Sequence, residues 1–200
     1  MSTVCMVAVA YFCGSLPVGV WVGRWAGVDV RRAGSGNIGA TNVARTAGRR
    51  AGLLTLVADI AKGALPAGLA RLLFVDPRIL ALVGVAAVCG HLFSLFLRFS
   101  GGKGVATAFG VFAVLTPVAA LLSALVFTVA VVSTRYVSLA SMLAAVALSI
   151  GVVACTYPTS LRFGAAAVSA TIILRHRDNL ARLLRGVEPQ LGSRRRTQQT

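Results

Sequence analysis

The run VATAFGVFAVLTPVAALLSALVFTVAVV fills residues 105–132, and its reading decides how often the chain crosses a bilayer. A crossing helix takes about 17–25 residues, so these 28 are more than one untilted span needs. Pro117 stands in the middle, where a proline removes a helical hydrogen bond and clashes with the preceding turn. The run therefore divides into two short helices, at about 105–116 and 118–132.

Five further apolar runs surround it, at roughly 4–23, 52–74, 79–97, 137–157 and 161–174. The composition agrees, with 57% hydrophobic residues, 12% charged residues and a mean hydropathy of +0.83 over 200 residues. That balance excludes an ordinary soluble domain. The first run has no basic segment before it and is followed by many more, so it is expected to remain as a span rather than to be a cleaved export signal. Cys5, Cys13, Cys89 and Cys155 are scattered, without the spacing that zinc requires, and are expected to be small buried hydrophobes.

The net charge of +15 comes from 20 Lys and Arg, 18 of them Arg, against 5 Asp and Glu. Arginines gathered between apolar spans report orientation toward the cytoplasm more readily than a nucleic-acid partner. With seven crossings and the N-terminus outside, 16 basic residues fall on the inner side and three, Arg71, Arg78 and Arg162, on the outer side. Six crossings would put the basic tail and the first basic loop on opposite faces. The expected architecture is thus all-α, with seven transmembrane helices, some short. Residues 1–192 form one membrane domain, and 193–200 a polar tail.

This topology brings three segments, 24–50, 98–104 and 175–188, to one cytoplasmic surface. In the first, RRAGSGNIGATNVARTAGRRAG, Gly34, Gly36 and Gly39 permit close backbone approach. Ser35, Asn37, Thr41 and Asn42 add short polar groups, and Arg45 a guanidinium fork, which together suit a phosphate. A flexible basic loop is the other reading. In the second, FSGGKGVAT, Gly104 follows Lys103 where a nucleotide-binding loop needs Ser or Thr, so nucleotide hydrolysis is excluded. Gly101, Gly102, Lys103 and Gly104 then read either as an anion cradle at a helix start or as turn residues. In the third, RHRDNLARLLRGVEPQLG, His176 and Asn179 share the first turn of a helix. His176 is a candidate general base or an orienting donor, while the leucines and arginines around it suit an interfacial helix.

Within the spans, Asp59 and Lys62 stand three apart on one helical face and can neutralise one another. The pair reads either as a structural support for the first basic loop, which is the expectation, or as a direct participant in the chemistry. Ser138 and Ser141 share a face near the inner surface, where they can bond a headgroup or their own backbone. No carboxylate cluster suggests a divalent metal, and no cofactor is expected.

In order along the chain, GSLPVG at 14–19, GSGNIGATNVARTAG at 34–48, DIAKGALP at 59–66, GHLFSLFLRFSGGKGVAT at 90–107, RYVSLAS at 135–141 and RHRDNLARLLRGVEPQLG at 175–192 make up a distinctive set. With it the chain resembles the integral-membrane glycerol-3-phosphate acyltransferases of bacteria that use acyl phosphate as donor. The resemblance implies seven transmembrane helices in the inner membrane and an active site open to the cytoplasm. The implied reaction is transfer of an acyl group from acyl phosphate to the 1-hydroxyl of glycerol 3-phosphate, giving lysophosphatidate. Acyl phosphate is already activated and no Ser–His–Asp or Cys–His order is visible, so direct attack without a covalent acyl-enzyme is expected. The implied partners are those substrates, membrane phospholipid and the enzyme that makes acyl phosphate. Ser35, Asn37, Arg45, Lys103, His176 and Asn179 fall at its polar positions, with Ser138 a further member. Ser94 replaces a proline of the pattern, Arg98 a lysine and Asp178 a glutamate, and Ser94 is expected to loosen the end of the third helix. A transporter of phosphorylated small molecules and a lipid-binding scaffold are the rival classes.

Overall fold

A computed structural model describes residues 2–192, so the proposed tail at 193–200 lies outside the described residues. The chain is all-α. The first apolar run is two helices, α1 (Thr3–Ser15) and α2 (Val18–Trp25), broken at Leu16 and Pro17. A short α3 (Ala40–Ala47) precedes α4 (Arg49–Leu73) and α5 (Pro77–Leu92). The long run divides at Thr116 as expected, into α6 (Val105–Leu115) and α7 (Pro117–Thr134). Pro117 opens α7 at a position where its missing N–H costs no helical bond. The remaining helices are α8 (Val137–Ala154), α9 (Thr159–Arg175) and the short α10 (Arg177–Leu184). Five stretches are long and apolar enough to span a membrane: Thr3–Trp25, Arg49–Leu73, Pro77–Leu97, Pro117–Thr134 and Val137–Ala154. The chain is a polytopic membrane protein.

Without a hydrophobic drive between helices in lipid, close backbone approach and interhelical hydrogen bonds must hold the bundle. α1 packs on α5, α4 on α6, and α7 and α9 on α8. Glycines make the first two contacts possible. A Cβ on Gly14 would overlap the Ala87 carbonyl, and one on Gly90 the Tyr11 carbonyl. Gly63 and Gly110 stand in the same relation to Thr107 and Ile60 across α4 and α6. Around α8, Ser123 donates to the Ala144 carbonyl at 2.8 Å and Ser169 to the Ala145 carbonyl at 2.7 Å.

Three expectations change. Ser94 does not loosen the end of α5, because its buried hydroxyl donates to the Ser15 carbonyl at 2.5 Å and ties that end to α1. The Asp59–Lys62 pair forms at 2.9 Å, but Lys62 also donates to the Leu16 carbonyl at 3.0 Å, so it braces the α1–α2 break rather than the first basic loop. The four cysteines are unpaired, and none is buried: Cys5 is exposed and the others are half-covered.

Gly110→Val should therefore prevent assembly or cost about 1–3 kcal/mol. Gly68→Ala, in α4 with nothing within 4 Å of a new Cβ, should leave the protein equally or more stable. Thermal melting in detergent compares the two, and equal melting points would refute close packing of α4 on α6.

Candidate active site

The loop before α3 is organised by one buried side chain. Asn42 Nδ2 donates to the carbonyls of Val30, Ala33 and Asn37 at 3.0, 3.1 and 2.8 Å, and its Oδ1 accepts the Ser35 N–H at 2.8 Å. That wraps residues 30–42 around a single amide. Gly34 and Gly36 carry φ of +62° and +71°, and a Cβ on Gly34 would overlap Asn42 Oδ1. The Asn37 side-chain oxygen accepts the Gly39 N–H at 2.8 Å, so it shapes the turn itself. The Ser35 hydroxyl and the Arg45 guanidinium, at the outer edge of this turn, are exposed and have no hydrogen-bonded partner among the described residues.

The second segment is fixed by backbone bonds. Gly101 and Gly102 donate to the Leu92 and His91 carbonyls, both at 3.1 Å, and Arg175 Nη2 donates to the Gly101 and Gly102 carbonyls at 3.0 and 3.1 Å. Gly104, at φ +83°, then starts α6. Lys103 extends from this turn to donate to Asn179 Oδ1.

The third segment is held by Glu188. Its Oε1 accepts from the Ser138 hydroxyl and from Asn179 Nδ2, each at 2.7 Å, and its Oε2 accepts from Arg182 Nε at 2.7 Å. Burial alone would raise this carboxyl; the bonds from Asn179, Ser138 and Arg182 outweigh it and hold the group below its usual range. Ser141 bonds its own backbone, to the Val137 carbonyl at 2.8 Å. Leu191 N–H donates to the Arg135 carbonyl at 2.7 Å and Arg135 Nη2 to the Leu191 carbonyl at 2.8 Å, so the segment after α10 folds back over the start of α8.

One cavity of about 1240 Å³ joins the three segments. Gly34, Ser35, Gly36, Asn37, Arg45, Gly101, Lys103, Gly104, Ser138, His176 and Asn179 all line it. Gly102 does not; it is buried beneath, against the His91 ring. Below the polar rim the lining turns apolar, through Phe109, Ala120, Ala124, Phe127, Ala144 and Leu148 of α6, α7 and α8. Among the described residues no group of three His, Cys, Asp or Glu side chains gathers to hold a metal ion.

Electrostatics distinguish the two polar centres. Burial pushes the Lys103 ammonium down to about 8, with Arg182 and Arg175 acting alongside it and Glu188 and Asp178 against it. It is still largely charged at neutral pH. Burial, with the Lys103 charge, lowers His176 to about 4, so its imidazole is neutral. His176 Nδ1 lies 2.7 Å from the Ile172 carbonyl, which can only accept. Nδ1 therefore carries the proton and Nε2 the free lone pair.

Sequence reasoning missed Glu188, Asn42 as an organiser, and Arg175. Glu188 had a signal, being one of only five acidic residues and set in an arginine-rich segment.

The model of the family described as glycerol-3-phosphate acyltransferase matches residues 4–186. Glycerol-3-phosphate acyltransferase of Trichlorobacter lovleyi is 46% identical over 182 residues, covering 91% of this chain and 94% of its own. That of Aquifex aeolicus is 42% identical over 189 residues, covering 94% and 98%. The crystal structure of PlsY (YgiH), an integral membrane glycerol 3-phosphate acyltransferase, in its glycerol 3-phosphate form, aligns at a TM-score of 0.93 with 42% identity over 96% of each chain. The lysophosphatidic acid form aligns at 0.90 with 41% identity over 96% of each. The chain, matched over nearly its whole length in sequence and in backbone, belongs to the glycerol-3-phosphate acyltransferase family.

Proposed function

We propose that the protein transfers the acyl group of acyl phosphate to the 1-hydroxyl of sn-glycerol 3-phosphate, giving lysophosphatidate and phosphate at the bacterial inner membrane. The observation that carries this reading is the single cavity in which basic and glycine-lined polar segments stand directly above an apolar groove. Such a cavity suits a substrate with a phosphate at one end and an alkyl chain at the other.

The acyl chain lies between α6, α7 and α8, and the phosphates lie at the polar rim. Ser35, the turn at Gly34 and Gly36, Asn37 and Arg45 take one phosphate; Lys103, with Gly101 and Gly104, takes the other, while Ser138 and Asn179 position the lysine. The glycerol hydroxyl oxygen attacks the acyl carbonyl carbon, the bond from that carbon to the phosphate oxygen breaks, and inorganic phosphate leaves. Lys103 and Arg45 stabilise the charge that develops on the carbonyl oxygen and the leaving group. The donor is already activated, so positioning replaces a covalent intermediate.

The hydroxyl proton has two acceptors within the cavity. His176 offers Nε2, but its pKa of about 4 makes it a weak base. A phosphate monoester takes its second proton near pH ~6, so a substrate phosphate oxygen is the stronger acceptor and His176 orients the reactants.

The two shorter helices, α6 and α9, complete seven crossings with the N-terminus outside. The support is charge placement: 16 basic residues then face inward against three outward. α6, at 11 residues, is too short to cross a core about 30 Å thick unaided. It packs against α4, α7 and α5.

Detergent-purified protein given palmitoyl phosphate and labelled glycerol 3-phosphate should form labelled lysophosphatidate, and palmitoyl-CoA should not replace the donor. No product from either, with folded protein, would bring transport forward instead. Lys103→Ala should lower kcat on the order of 10²–10³-fold, and near-normal turnover would remove the lysine from the mechanism. Because Lys103 loses its charge as pH rises through about 8, kcat/KM should fall above that pH. A profile level to pH ~10 would exclude a required ammonium. On a background without native cysteines, an impermeant thiol reagent on whole cells should label a cysteine at position 78 and spare one at 185; the reverse would overturn the orientation.

A further inference from the structure

Lys103 is preceded by two glycines because of what lies beneath them. Gly101 and Gly102 cross the last turn of α5, where their amides bond to the carbonyls of Leu92 and His91. A Cβ on Gly101 would overlap the His91 carbonyl oxygen, and a Cβ on Gly102 would overlap Nε2 of the His91 ring. Arg175 holds the same two residues from the other side through their carbonyls. The dipeptide is clamped with no room for a methyl group, and the Lys103 side chain leaves from its end toward Asn179.

The ring under the clamp is unusual. His91 is 3% exposed and its Nδ1 has no hydrogen-bond partner. Asp59 Oδ1 stands 3.8 Å away, too far for a direct bond, and is itself held by Lys62. Burying a ring nitrogen without a bond costs free energy that an apolar side chain of similar size would not. A cost of that kind persists where the group's shape and placement are used.

We propose that His91, seated beside Asp59, is a positioning residue for the transfer reaction: its ring edge is the platform on which Gly102 rests, and it thereby sets the height and direction of Lys103. The inference rests on the function proposed above. His91 and Asp59 also line the cavity, but the platform acts through the loop, since the contact that places Lys103 is the one with Gly102.

A double-variant cycle isolates that contact. Gly102→Ala should lower turnover with palmitoyl phosphate on the order of 100-fold, because a displacement of about 1 Å is enough to misplace a catalytic group. His91→Ala alone should also lower it, by loosening the seat. Combining the two should recover at least about tenfold over Gly102→Ala, because the new methyl enters the space the ring has left. Gly101→Ala is the control: it meets the His91 carbonyl, which every variant keeps, so His91→Ala should not rescue it. A combined variant no better than Gly102→Ala, or equal rescue of Gly101→Ala, overturns the proposal.

A second readout does not need activity. The chain has two lysines, Lys62 and Lys103, and Lys62 is buried. Labelling of Lys103 by trinitrobenzenesulfonate, followed by peptide mass, should quicken in Gly102→Ala as the lysine loses Asn179, and slow again in the combined variant. If wild-type protein makes no lysophosphatidate, the functional reading fails while this cycle still decides whether His91 seats the loop. Should Gly102→Ala fail to fold, recovery of monodisperse protein on adding His91→Ala supports the contact, and continued failure overturns it.

Discussion

Every backbone N–H and C=O near hydrocarbon must find a partner within the protein, and that constraint governs this molecule more than any single contact. Helices satisfy it automatically; a cradle for phosphate cannot, because it needs irregular backbone. The chain meets both demands by ending its helices short and giving each loose end a named partner. Asn42 takes four backbone groups of the first loop, Arg175 and the end of α5 take those of the glycine turn, and Arg135 exchanges two bonds with Leu191. Where α1 stops at Leu16, the ammonium of Lys62 takes the exposed carbonyl. Irregular backbone survives at these helix ends because each has a partner within the protein.

Charge follows a related economy. The site faces a surplus of cations, and Glu188 is the carboxylate that orders them, joining Ser138, Asn179 and Arg182 through two oxygens. Asn179 is thereby oriented with its amide nitrogen toward Glu188 and its oxygen toward Lys103. The lysine is presented without being neutralised by direct pairing. Arg45, with no such partner among the described residues, is exposed and lines the same cavity. One cation is therefore fixed and partly desolvated while the other is free to follow a ligand, a difference the residue types alone do not convey.

Much of this is legible in the sequence. Pro117 announced the division of the long run, because a mid-run proline has few other meanings, and the order of the motifs indicated which polar residues would meet. The break at Leu16 was less legible, since Pro17 sits near the middle of a run whose length suits one crossing. Asn42 could not be separated from Ser35, Asn37 and Thr41, as four short polar side chains among glycines look alike until the turn is built. Glu188 resembles a solvated acid in an arginine-rich segment, and His91 an isolated histidine in an apolar span. In sequence Gly102 is indistinguishable from the glycines at the rim, although its small size serves contact with the ring below rather than a ligand above. In each of these cases the missing information was the identity of a partner distant in sequence.

α7 is the least buried of the five long spans. One side of it, with Leu121, Leu125, Val129 and Val132, is exposed, while Ala120, Ala124 and Phe127 line the cavity. A single helix thus separates the apolar groove from the surrounding lipid tails. For an amphiphilic donor, this makes the membrane both the solvent and the store from which the site is filled. Its supply is set by mole fraction among neighbouring lipids rather than by concentration in water, and the phospholipids that descend from the product are the medium that dilutes it.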